Sequence, residues 1–288
     1  MRRLELPAPL LVLASITSVQ FGSAVATTLF DDLGAAGVTL LRLAIAAVVI
    51  AVFARPRLRD WTGAAWRAAA VLGVVMAGMN LIFYLALRTV PLGIAVTVEF
   101  LGPLLLALVQ TRRVLDLFWA LLAGAGVVLL GTAGGGSAPL GGLLLAFLAG
   151  LCWAGYIVFS AKLGGLVPGT GGLAVSLAVA ALLVLPFGAP GAGAVLSRPS
   201  LLIGATAVAL LSSVFSYGLE INALRRIPTR VFGILMSLEP AAAAIAGLLI
   251  LGQRLDAVEV IALLLVTLAS AGVTMGGQRR EEPVPEHV

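Results

Sequence analysis

A single cysteine, a single histidine and a single lysine are all that 288 residues offer of three residue types on which much enzyme chemistry depends. Cys152 sits inside an apolar run, so no intrachain disulfide is possible and the redox compartment stays undetermined. His287 stands next to the last residue, which removes histidine metal sites and Ser-His-Asp chemistry from the apolar part of the chain. Lys162 lies in "FSAKLGG", where no glycine-rich loop ends in a phosphate-binding lysine; ATP is not the expected fuel. Charge is also scarce, at 11% of residues against a usual quarter or so. The acidic pair Asp31-Asp32 is the only acidic cluster in the apolar part of the chain, so neither a metal, a cofactor nor an enzyme activity is expected.

What fills the chain instead is hydrocarbon. Hydrophobic residues make up 61% and the mean hydropathy is +1.13, which describes a polytopic membrane protein whose first partner is the lipid bilayer. The net charge of +5 resides mostly in short connectors, where headgroups and topology account for it, and no nucleic-acid partner is expected. A crossing takes about 20 apolar residues. Such runs, read between Arg, Gly and Pro punctuation, predict spans at 9–29, 34–54, 66–87, 91–111, 114–131, 141–161, 170–188, 201–223, 228–251 and 257–276. The first run follows Arg2 and Arg3 like a signal peptide, but Ser15, Thr17, Ser18 and Gln20 make it too polar for a signal core. Arg and Lys gather on alternate loops: Arg2, Arg3, Arg55, Arg57, Arg59, Arg67, Arg112, Arg113, Lys162, Arg225, Arg226, Arg230, Arg279 and Arg280 face one side, and Arg88, Arg198 and Arg254 the other. Both termini are therefore predicted to be cytoplasmic.

The chain also repeats. "ALRTVP" at 86–91 reads against "ALRRIP" at 223–228, and the same offset of 137 places Pro103 on Pro240 and Asn80 on Tyr217. At an offset of 134, 41–56 overlays 175–190; near 133, Gln20 and Gly22 overlay Trp153 and Gly155. The unit is five spans, with a first copy at 9–131, a second at 141–276 and a disordered cytoplasmic tail at 277–288. An odd number of crossings inverts the second copy, the architecture of many secondary transporters. The expected fold is thus an all-α integral membrane protein of ten transmembrane helices in two inverted five-helix repeats, complete within one chain, so that a monomer suffices.

Polar residues inside these spans point to function, because charge in hydrocarbon is costly. Pro103 and Pro240 each deprive a carbonyl four residues back of its partner, those of Glu99 and Met236, and are expected to kink their helices. Glu239 then lies near the midplane, about eleven residues into its span. Arg42 and Glu99 share a depth of roughly 12 Å and are expected to form an ion pair, either as a structural pin or as part of a gate or substrate site. Asn80 and Tyr84 fall four apart, Ser213, Ser216, Tyr217 and Glu220 share a face, and Gln20 with Thr27 is matched by Trp153 with Ser160. Together they predict a central cavity for a small polar solute. Glu220 reads equally as a boundary residue paired with Arg225 or Arg226, Asn80 and Tyr217 as interhelical glue, and the glycines from Gly150 to Gly155 as close packing.

Five stretches resemble a known family: "SVQFGSAVATTLF", "GAAGVTLLRLA", "AGMNLIFYLALRTVPLGIAVTVEFLGPLLLAL", "CWAGYIVFSAKLG" and "IPTRVFGILMSLEPAAAA" look like the threonine and homoserine exporter branch of the drug/metabolite transporter (DMT) superfamily, whose repeat unit is called EamA. The likeness runs from about residue 10 to 275, with one departure, "AGMN", where the branch tends to carry two glycines. It implies two EamA repeats in a bacterial inner membrane and export of small amino acids from the cytoplasm driven by the proton gradient. The positions matching its motifs are Gln20, Arg42, Asn80, Tyr84, Glu99, Trp153, Glu220 and Glu239. Joined to the residue reading, this gives substrate binding by Gln20, Arg42, Asn80, Tyr84, Glu99, Trp153, Tyr217 and Glu239. The ammonium would sit near Glu239 or Glu99, the carboxylate near Arg42 or an amide, and a hydroxyl near Asn80 or Tyr217. Glu99, Glu239 and Glu220 are the proton-coupling candidates in an antiport by alternating access. Export or uptake of another metabolite or drug of the superfamily is the alternative.

Overall fold

The computed structural model describes residues 7–110, 114–133, 138–224 and 226–277. Of the expected tail 277–288, Gly277 is the last residue of a helix, and the remainder, with the basic residues Arg2, Arg3, Arg112, Arg113, Arg225, Arg279 and Arg280, lies outside the described residues. Every long element is helical. In order they are α1 (Ala8–Thr28), α2 (Phe30–Ala54), α3 (Gly63–Ala86), α4 (Leu92–Glu99), α5 (Leu101–Gln110), α6 (Val114–Ala133), α7 (Leu140–Leu166), α8 (Gly171–Ala192), α9 (Ala194–Ser197), α10 (Ser200–Ala209), α11 (Ser216–Leu224), α12 (Thr229–Met236), α13 (Glu239–Leu251) and α14 (Ala257–Gly277). Among the described residues nine helices or joined helices are long and apolar enough to cross a membrane, and α6 contributes a shorter apolar stretch, Leu117–Leu130. The ten spans of the sequence reading are thereby accounted for.

Local chemistry sets the boundaries. Gly34, at φ 66° and ψ 158°, breaks the start of α2 and turns the chain from the end of α1, so that the regular part of α2 follows it. Thr62 accepts a hydrogen bond from the Ala65 amide at 3.2 Å and starts α3 three residues earlier than hydropathy alone suggests. Asp256 and Glu259 each accept from the other's backbone N–H, at 2.7 and 2.8 Å, and box the start of α14. α7 runs five residues past the expected end at 161, because a lysine such as Lys162 near a helix end can carry its charge toward the interface. The helix from α10 to α11 is interrupted by a π-helical turn, Leu210–Phe215, that the sequence reading lacked.

Neighbouring helices reproduce the repeat. α2 packs on α8, α4 on α13 and α6 on α14, each a helix with its counterpart; α1 lies against α10–α11 and α13 as α7 lies against α3 and α4–α5. Counterparts run antiparallel. A Cβ on Gly191 would stand 2.0 Å from the Leu33 carbonyl at one end of the α2·α8 crossing, while Gly171 approaches Pro56 at the other. Such close backbone contact between small residues is how helices associate where lipid removes the hydrophobic drive. Outward faces carry large apolar side chains, Phe53 at 82% and Leu249 at 68% exposure, as a lipid-facing surface requires.

The interior is not symmetric between the two membrane faces. Toward the face where α1 turns into α2, here the corner face, one apolar cluster joins Ala24, Leu33, Phe83, Leu92, Leu143, Leu201, Ala243 and Ala262, from eight different helices. Toward the face of the termini the contacts divide: Val12, Ile16 and Ala223 form one group and Leu104, Ala123 and Val273 another, while a third, from α2, α3, α7 and α8, runs along the whole α2·α8 crossing.

Candidate functional site

Where the single cluster divides, a polar cavity of about 120 Å³ opens between the two halves. α1 supplies Gln20 and Ser23, α2 Arg42, α3 Asn80, α7 Trp153 and Tyr156, and α11 Ser216, Tyr217 and Glu220. The interrupted helices deliver the remaining acids: Glu99 is the last residue of α4 and Glu239 the first of α13. Each break falls just before a proline, with Phe100 between α4 and α5 and Ser237 with Leu238 between α12 and α13. At the first break Gly102 and Gly150 let α5 and α7 touch backbone to backbone. A Cβ on Gly150 would lie 2.2 Å from the Glu99 carbonyl oxygen. The glycines here are packing, and the packing fixes where Glu99 stands.

Arg42, 6% exposed, is held on three sides. Its Nε donates to Ser213 Oγ at 3.2 Å, Nη1 to the Tyr84 hydroxyl at 2.9 Å and Nη2 to the Ser212 carbonyl at 3.1 Å. The expected ion pair with Glu99 does not form: the two side chains line one cavity but stay beyond ion-pair distance, and two hydroxyls and a carbonyl take three of the five guanidinium N–H groups instead. The π-helical turn explains why a carbonyl is at hand, since its i→i+5 pattern disturbs the regular ladder. α1 serves the same segment, with Ser18 Oγ donating to the Leu211 carbonyl at 2.7 Å and Ser15 Oγ to the Ser216 carbonyl at 3.1 Å. Gly22 permits this approach, as a Cβ there would stand 2.2 Å from Ser212 Oγ.

The other residues singled out in the sequence divide into those that meet in the cavity and those that do not. Gln20, Asn80, Glu99, Trp153, Tyr217, Glu220 and Glu239 line it with Arg42. Tyr84 is fully buried behind Arg42 and acts on the cavity only through it. Glu220 accepts from Ser15 Oγ at 2.8 Å. Asn80 donates to the Met76 carbonyl within its own helix, and the Tyr217 ring lies 6.3 Å from that of Tyr156. Thr27 and Ser160 do not reach the cavity. Thr27 donates to the Ser23 carbonyl, and Ser160, on the outside of α7, donates to the Ile157 carbonyl. Residues the sequence reading missed are Val19, Ser23, Met79, Phe83, Tyr156, Ser212 and Met236. Tyr156 stood one turn from Trp153 and was findable; Ser212 depends on the π-turn and was not.

Chemically, the cavity offers one guanidinium, three carboxyls and a set of neutral hydrogen-bonding groups. Glu99 and Glu239 accept no hydrogen bond among the described residues, and Gln20 Oε1 and Ser212 Oγ are buried without a partner. Gln20 and Ser212 line the cavity and are able to bond a solute placed there, whereas Trp119 Nε1 and Thr267 Oγ1, also without a partner, lie outside it. No group of three or more metal-ligating side chains occurs among the described residues. Separated acceptors and a fixed donor fork suit a small solute bearing charges of both signs.

Comparison with known proteins gives three findings. The EamA-like transporter family matches residues 140–275. The threonine/homoserine exporter RhtA of Salmonella typhimurium (strain LT2) is 40% identical over 284 residues, 98% of this chain and 96% of the relative, and that of Escherichia coli (strain K12) is 39% identical over 289 residues, 99% and 97%. A solved crystal structure with 23% identity superposes with a TM-score of 0.61 over 94% of this chain and 98% of that one, a likeness of fold.

Proposed function

This chain belongs to the threonine/homoserine exporter branch of the EamA transporters, and from that premise we propose that it exports small hydroxylated amino acids of the threonine and homoserine class across a bacterial inner membrane, in exchange for protons. One observation carries the reading: Arg42 and the unpaired carboxyls of Glu99 and Glu239 converge on one buried cavity at the junction of the two halves. A zwitterion matches that set, its ammonium toward the carboxyls and its hydroxyl toward the amides and phenols. A carboxyl withdrawn from water can take up and release a proton as its surroundings change, so Glu99, Glu239 and Glu220 are the coupling groups in this reading. Termini in the cytoplasm, as the basic loops imply, put the face with divided apolar clusters on the side from which an exporter loads. Rocking of the inverted halves then exposes the cavity alternately.

Flux of labelled threonine and homoserine in proteoliposomes under an imposed pH gradient tests the proposal. The parent moves both solutes in a gradient-dependent way. Glu239→Gln loses that dependence; a folded Glu239→Gln protein that still couples flux to the gradient removes Glu239 from the coupling role, and Glu99→Gln answers the same question for Glu99. A folded parent that moves neither solute overturns the substrate assignment.

A further inference from the structure

A guanidinium has five N–H groups, and Arg42 gives three of them to Ser213, Tyr84 and the Ser212 carbonyl. One N–H remains on each terminal nitrogen, in a residue that lines the cavity. We propose that these two N–H groups seat the carboxylate of the transported solute, and that Tyr84 and Ser213 are positioning residues that aim them. The inference rests on the amino-acid reading above and deepens it: the transporter requires a free carboxylate.

The repeat offers a comparison for Arg42, whose three bonds already tie α2 to α3 and to the π-turn. Its counterpart at the offset of 134 is Ser176 on α8, whose hydroxyl lies within 3.0 Å of the Ala69 carbonyl of α3 and the Gly172 carbonyl of its own helix. At the matching crossing a serine therefore suffices. An arginine in its place, costly in a membrane and only partly consumed by the protein, needs a further use. Glu99 does not supply it, since it stays out of ion-pair reach. The two-nitrogen fork fits a planar carboxylate. A dianionic phosphate ester fits poorly, because Glu99, Glu220 and Glu239 line the same cavity and would repel it. Those acids instead face the ammonium of an α-amino acid. The partners of Arg42 also come from two different helices, Tyr84 on α3 and Ser212 and Ser213 on the π-turn, so the fork has little freedom to swing away.

The experiment compares threonine with threoninamide, which keeps the ammonium and hydroxyl but lacks the carboxylate, as competitors of labelled homoserine uptake into inverted proteoliposomes. Threonine is expected to compete about 10- to 100-fold better, the range of a charge-assisted pair of hydrogen bonds. Tyr84→Phe and Ser213→Ala raise the KM for threonine roughly five- to tenfold with kcat within about twofold, leave the weak inhibition by threoninamide unchanged and keep the parent's unfolding temperature. A purely structural role would weaken both ligands together and lower that temperature. Threoninamide competing as well as threonine overturns the inference and leaves amino-acid export standing. Where no flux is seen, thermal stabilisation of the purified parent decides: stabilisation by threonine and not by threoninamide keeps the carboxylate seat while export of these solutes fails, and equal or no stabilisation by both sinks the seat as well.

Discussion

Gly150 shows how little room single residues have near the cavity. A Cβ added to it would stand 2.2 Å from the Glu99 carbonyl oxygen, and one added to Gly102 would stand 1.8 Å from the Gly150 carbonyl oxygen. Backbone atoms cannot rotate aside as a side chain can. Gly150→Ala is therefore expected to cost at least 1–3 kcal/mol, the usual range for overpacking, and to lower transport because Glu99 shifts with its carbonyl. Unfolding in detergent followed by temperature or denaturant measures the first effect. Gly164→Ala is the control: a Cβ there meets nothing within 4 Å, and removing a helical glycine should raise stability by about 0.5–1 kcal/mol. Equal losses in the two variants would refute the packing argument.

At the scale of elements, the interrupted helices matter most. Pro103 falls in the first turn of α5, where a missing N–H is tolerated, and α4 ends four residues before it. Pro103→Ala restores a donor able to reach the Glu99 carbonyl. We expect α4 and α5 to merge, stability to stay within about 1 kcal/mol of the parent or to rise, and transport to fall several-fold, because Glu99 no longer ends a helix at the cavity. Unchanged transport kinetics in that variant would show the break to be incidental. A second element-level contact spans the halves: Gln253, beyond α13, accepts from the Leu92 amide at 2.9 Å and caps α4. Gln253→Leu should destabilise by about 1–3 kcal/mol, the usual cost of an unsatisfied donor, read from the same unfolding curves.

Much of this was legible in the sequence, and the boundary of legibility has a physical cause. Composition and run length give the spans, because every crossing must satisfy its backbone internally and coat itself in apolar side chains. The two prolines mark the helix breaks because a missing N–H is a local property. The residues that line the cavity were found largely because polar groups in hydrocarbon are rare and stand out. The Arg42–Glu99 pair failed for the opposite reason. Equal depth in the bilayer says nothing about rotation around the helix axis, and the actual partners of Arg42 arise from a π-turn that shifts Ser212 and Ser213 relative to a regular helix. Thr27 and Ser160 share a helical face with cavity residues at one end, but seven residues along the helix they lie past the cavity.

For the whole molecule, the question is which face the cavity communicates with. One cluster of side chains from eight helices closes the corner face, and Asp32 at the α1–α2 corner is bridged there to Arg198, between α9 and α10. The bridge is exposed, so it adds at most about 1 kcal/mol to stability, yet it ties a corner of the first half to one of the second. On the terminal face the halves meet in three separate clusters instead of one, and Glu220 and Met236 line the cavity. We expect the cavity to open toward the termini. In a Cys152→Ser background, Met236→Cys should accordingly react with a membrane-impermeant maleimide applied from the terminal side and stay protected from the other. Adding Asp32→Asn should increase labelling of Ser23→Cys from the corner side while lowering the unfolding temperature by no more than about 2–4 °C, since the bridge biases the orientation of the halves only by the ~1 kcal/mol at most that it contributes. Labelling of Met236→Cys from the corner side alone would reverse the assignment of the open face, and a Ser23→Cys rate indifferent to Asp32 would show that the apolar cluster seals that face by itself.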